Sequence, residues 1–77
     1  MSEEQANYKT VAEDDFKKRL RIEEEELRER ILKLNAFILS ENFVRAESKQ
    51  KILLKLQLST MKTYHECLTF RIIDLEG

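Results

Sequence analysis

Proline and tryptophan are absent from this chain, and glycine, cysteine and histidine each occur once, as Gly77, Cys67 and His65. Each scarcity excludes something. A single glycine at the last position leaves no glycine-rich loop to cradle a phosphate. A lone cysteine allows no internal disulfide. One histidine and one cysteine cannot supply the roughly four ligands of a zinc site, so no metal is expected. His65 and Cys67 are two residues apart, which on a helix turns them about 200° from each other. They cannot act as a local nucleophile and base, and no other spacing suggests a triad. The expectation is a protein that is not an enzyme and carries no cofactor. Apolar runs fall far short of the roughly 20 residues of a membrane span. Charge of one sign is also lacking, since 14 basic and 15 acidic residues leave a net charge of −1. Nucleic-acid binders are usually strongly basic, so nucleic acid is disfavoured as a partner, and no helix-turn-helix signal is visible. Met1-Ser2-Glu3-Glu4 is acidic and lacks a signal peptide's basic and apolar regions. With the single thiol, this predicts a reducing, intracellular setting.

What the chain does have is helical periodicity. Residues 1–10 are polar and aperiodic and read as an arm, with Tyr8 its one large apolar group. Residues 11–77 read as a hairpin with helices over about 11–39 and 46–74. Thr10-Val11-Ala12-Glu13 fits a capping box, and Asp14 and Asp15 add negative charge in the first turn, where the helix dipole favours it. Leu20, Leu27 and Leu34 recur every seven residues. Ile31 and Ile38 form the companion row, with Glu24 in its earlier place, giving an a/d seam over three heptads. Phe16, Ile22 and Phe37 lie off the seam. Asp14–Lys18, Asp15–Arg19, Glu24–Arg28, Glu26–Arg30 and Glu29–Lys33 are i,i+4 pairs, each worth a few tenths of a kcal/mol in an isolated helix.

Ser40 to Arg45 interrupts the pattern. Asn42 is suited to a left-handed C-terminal cap, and Phe43 and Val44 are expected to plug the hairpin's end. A connection this short makes the helices antiparallel neighbours. Leu54, Met61, Leu68 and Leu75 make the second helix's heptad row, with Leu58, His65 and Ile72 as companions. On this row His65 reads as a core or interface histidine, and Cys67 as a small buried hydrophobe. Ile52, Leu53, Leu56, Phe70 and Ile73 point elsewhere on the same helix. A stripe that wide implies burial on two sides. A chain of 77 residues forms only a marginal core, and oligomerisation is the staple left to it. The expected fold class is all-α: an antiparallel two-helix hairpin that assembles into a symmetric helical bundle, with a two-fold axis as the simplest closure.

One cluster could bind a small anion. The second helical region holds five basic and three acidic residues, against seven and eight in the first. Tyr64 and Arg71 are seven apart and share a face. Arg19, near the start of the first helix, should lie near the far end of the second. Arg19, Tyr64 and Arg71 could therefore meet at one end of the bundle, where two arginines and an aromatic face suffice for a small phosphate ligand. The plainer reading pairs Arg71 with a surface acid and leaves the Tyr64 hydroxyl in water. A third use of the apolar stripe is to dock a foreign helix, making the chain an interaction module that inhibits a host protein or acts as a structural adaptor.

The succession Arg19-Leu20, Glu24, Glu26-Leu27, Ile31, Lys33-Leu34 and Phe37-Ile38, followed by Phe43, Leu53-Leu54, Gln57-Leu58, Met61, Tyr64, Leu68 and Arg71-Ile72, resembles a family of small helical-hairpin proteins of tailed bacteriophages related to crAss phages. The resemblance covers about residues 16–73 and implies a phage origin, a hairpin fold and residence in the cytoplasm of an infected bacterium. In size and shape the chain is also similar to the hairpin proteins that phages use as sponges. Those oligomers sequester the cyclic nucleotide signals of host defences such as CBASS and Thoeris without catalysis. By that likeness, a non-enzymatic anti-defence protein would hold a small cyclic nucleotide at its subunit interfaces.

Overall fold

The structure is a computed structural model that describes the backbone of residues 2–77 and the side chains of residues 15–77. Among these residues every regular element is helical: α1 spans Ser2–Ile38, α2 Glu41–Val44 and α3 Ser48–Glu76. None of the described helices is long and apolar enough to cross a membrane. α3 lies within two residues of its expected bounds, and α1 ends one residue early. α1 begins at Ser2 rather than Val11, so helical backbone extends through the span read as an arm. That span contains neither proline nor glycine, and its Glu, Gln, Ala and Lys residues are good helix formers. With helical backbone running through Thr10, that residue is not the N-cap that a Thr10–Glu13 capping box requires; the Asp14–Lys18 pair and the side chain of Tyr8 lie outside the described residues.

α1 and α3 pack antiparallel along the seam that the heptads define. Leu20, Leu27 and Leu68 form the buried core, with Ile31, Met61 and Ile72 packed against it. Leu34, Ile38, Leu54 and Leu58 continue the seam half-buried toward the turn. Leu68 is fully enclosed, and its burial alone contributes about 1.5–3 kcal/mol. Leu75, at the end of α3, stays exposed.

The two polar positions in the seam face each other. His65 Nε2 lies 2.9 Å from Glu24 Oε2, both side chains being largely covered. Arg28 approaches the same carboxylate at 3.7 Å. Each residue alone would be a defect in an apolar row. Opposed, they satisfy one another, which is what a polar group in a packed interface requires.

The turn is built differently from the expectation. No non-glycine residue among those described takes a positive φ, so Asn42 is not a left-handed cap but part of α2. Ser40 does the stopping: its Oγ and its backbone N–H both donate to the Phe37 carbonyl. That satisfies a C-terminal carbonyl without glycine. Phe43 is buried and meets Phe37 edge to face, ring centroids 6.3 Å apart. Lys51 and Lys55 place their ammonium groups 6.0 and 5.7 Å from the Phe43 ring centre. Phe43 plugs the hairpin as expected. Val44 does not, because α2 turns it outward and leaves it 69% exposed.

On the surface of α1, Asp15–Arg19 closes to 2.9 Å, while Glu24–Arg28 and Glu26–Arg30 stand at 3.7 Å. Glu29 and Lys33 do not pair. The exposed pairs Asp15–Arg19 and Glu26–Arg30 contribute little. Cys67 is exposed rather than buried, because one helical step of about 100° carries it from the seam, where Leu68 sits, to the outer side of α3.

Candidate functional site

The end of the hairpin away from α2 carries a shallow cleft of about 220 Å³, lined by Phe16, Arg19, Leu20, Glu23 and Arg71. Its construction follows from the antiparallel register. α1 contributes Phe16, Arg19 and Glu23, which lie one and two turns apart on the flank beside the seam, and Leu20 forms the floor. α3 contributes Arg71 from the facing flank. Its guanidinium carbon sits 5.9 Å from the centre of the exposed Phe16 ring, an arrangement that favours a cation over the π face.

Of the three residues singled out from sequence, Arg19 and Arg71 share this cleft. Arg19 also pairs with Asp15, both side chains being more than half exposed. Tyr64 is not part of the lining. It stands seven residues, about two turns, before Arg71 and reaches the cleft indirectly, since its hydroxyl donates to the Glu23 carboxylate. That hydrogen bond holds the phenol above its ordinary value of about 10. Desolvation and the Glu23 charge push in the same direction, and nearby Arg71 opposes them. The Tyr64 hydroxyl is therefore engaged by an acid rather than left to water.

Two contributors were missed in the sequence reading, Phe16 and Glu23. Glu23 had a signal. It adjoins the seam position Glu24, as Tyr64 adjoins the seam position His65, and the contacts Glu23–Tyr64 and Glu24–His65 lie at one level of the antiparallel hairpin.

Chemically, the cleft offers two guanidinium groups, one aromatic face and one carboxylate occupied by a phenol. Guanidinium forks suit phosphate or carboxylate oxygens, and the Phe16 face suits a planar ring. No group of three or more His, Cys, Asp or Glu side chains is placed to hold a metal ion among the described residues.

Fold and cleft together define a class: small all-helical hairpin proteins with an arginine-bearing surface site. Residues 14–74 match the family model described as Sequestin, and the chain belongs to the Sequestin family. No curated protein and no solved structure matches it.

Proposed function

We propose that this protein is a non-enzymatic bacteriophage protein that sequesters a small, anionic, cyclic nucleotide signal of host antiviral defence. Membership of a family whose name denotes sequestration supports capture as the activity. The observation that carries the ligand class is the convergence of Arg19 and Arg71 beside the Phe16 ring. Arginine forks take phosphate oxygens, and the ring offers a stacking surface for a base. One open cleft on one hairpin is too shallow to enclose such a ligand, so neighbouring subunits of a homo-oligomer complete the enclosure. The setting is the cytoplasm of the infected host.

The test is thermal unfolding in the presence of a panel of cyclic di- and trinucleotides. A captured ligand raises Tm as binding to the folded state shifts the equilibrium. Arg71→Ala should keep the helical circular dichroism and lose that rise, weakening affinity by roughly tenfold or more. A panel without effect on Tm counts against nucleotide capture. The second reading is capture of a host protein, favoured by the exposed apolar residues Ile52, Leu56 and Phe70. A stoichiometric host protein retained by the tagged chain, with no nucleotide response, would move the conclusion there.

A further inference from the structure

The outer side of α3 is a second, unpartnered face. At about 100° per residue, Ile52, Leu56, Thr60, Thr63, Cys67 and Phe70 fall on one stripe opposite the seam. All six are exposed. The threonines do not make this stripe polar. Thr60 Oγ1 donates to the Leu56 carbonyl at 3.0 Å and Thr63 Oγ1 to the Ser59 carbonyl at 3.1 Å. Hydroxyls tied back to their own helix leave the methyl groups as the outward surface. The stripe runs about 27 Å from Ile52 to Phe70. One charge closes each end of its centre line: Lys49 before it and Asp74 after it, both exposed.

We infer that this face pairs with the same face of a second copy, antiparallel, about a two-fold axis that crosses α3 between Met61 and Lys62. The stripe is close to palindromic about that point. Thr60 of one copy falls opposite Thr63 of the other, Leu56 opposite Cys67, and Ile52 and Leu53 opposite Phe70. Lys49 falls opposite Asp74 at both ends. A parallel pairing would set Lys49 against Lys49 and Asp74 against Asp74, which like-charge repulsion disfavours. The antiparallel register is thus fixed by charge at the ends and by shape along the middle, and the surface is self-complementary as a two-fold contact must be. It also covers Cys67. The pairing identifies the subunit contact that capture between subunits assumes, and rests on that reading only in this respect. It brings Lys49 and Ile52 of the second copy to the Arg71 end of the first, adding a cation beside the cleft.

The experiment is a cysteine cross-link on the full chain. Leu56→Cys places a new thiol opposite the native Cys67 of the other copy. Air oxidation with a copper catalyst should convert this variant to covalent dimer on a non-reducing gel. The native chain should stay uncrosslinked under the same conditions, because its two Cys67 residues are about 16 Å apart along the axis. Asp74→Lys should weaken the dimer roughly tenfold in sedimentation, and adding Lys49→Asp should restore it. Leu56, Lys49 and Asp74 are exposed in the single chain, so these variants keep the hairpin, and their circular dichroism reports that directly. Efficient cross-linking of native Cys67, no cross-link in Leu56→Cys, or a monomer at high concentration would each overturn the pairing. None of these readouts involves a nucleotide, so the pairing and the ligand stand or fall separately.

Discussion

α1 and α3 share one seam and differ in the surface they present to everything else. From Asp15 to Ile38, thirteen of α1's 24 residues are charged; in α3 only eight of 29 are. The outer side of α1 is laced with ion pairs of its own, which need no partner. The outer side of α3 carries Ile52, Leu56 and Phe70 in the open, which cost free energy in water and gain it when covered. The difference lies in charge density rather than in apolar exposure alone, since α1 also leaves Ile22 and Leu32 in the open. It also explains why the charge asymmetry between the two helices is slight in net terms yet decisive in distribution.

The sharpest way to break this comparison is to substitute both sides of α3 within one turn. Leu68→Ala empties a fully enclosed position and should cost about 2–5 kcal/mol, enough to abolish cooperative thermal unfolding of so small a chain. Phe70→Ala, two residues on and 68% exposed, should leave the hairpin's helical signal intact and reduce self-association only. Equal losses of helicity in the two variants would refute the division between an inner and an outer face.

A second substitution series probes the polar rung. Glu24→Leu or His65→Leu alone strands its partner in the seam and should cost about 1–3 kcal/mol. The double variant should recover most of that loss, or exceed the native stability, because a well-packed apolar pair avoids the desolvation of charge. Urea denaturation of the four proteins gives the coupling directly, and additive losses would show that the pair does not interact.

The smallest effect is expected at Tyr64. With Tyr8 replaced by phenylalanine, phenolate absorbance reports Tyr64 alone. Glu23→Gln should move its titration downward toward the ordinary tyrosine range, since the carboxylate bond and charge are what raise it. A raised phenol stabilises the fold below its unfolded value near 10 and loses that contribution as pH climbs through the folded value. The native chain should therefore lose slightly more stability than Glu23→Gln between neutral pH and strongly alkaline pH. Superimposable titrations would remove the Tyr64–Glu23 bond from the account.

The seam was legible in the sequence because its spacing is a property of the helix itself: Leu20, Leu27 and Leu68 are buried where a heptad puts them. Glu24 and His65 were legible as seam positions but not as partners. Their meeting depends on how far α3 slides along α1, and that is set by α2, a helical turn whose residues gave no such signal. Asn42 misled because its left-handed tolerance is a permission, not an instruction, and Ser40 supplied the cap instead. Cys67 misled because a small sulfur side chain fits either side of a helix. The cleft was partly legible. Antiparallel packing was enough to bring Arg19 and Arg71 together, whereas Glu23 and Phe16 required the register.

The turn itself has a practical corollary. It is closed by ordinary backbone conformations, the Ser40 cap and one buried ring, and it lies about 32 Å from the Phe16 end, by the helical rise over the 21 residues that separate Phe16 from Phe37. Its outward residues Glu41, Asn42, Val44 and Arg45 form a built-in handle. A dye, a tether or a short grafted peptide fixed there would report on the molecule from a distance, touching neither the arginines at the other end nor the stripe along α3.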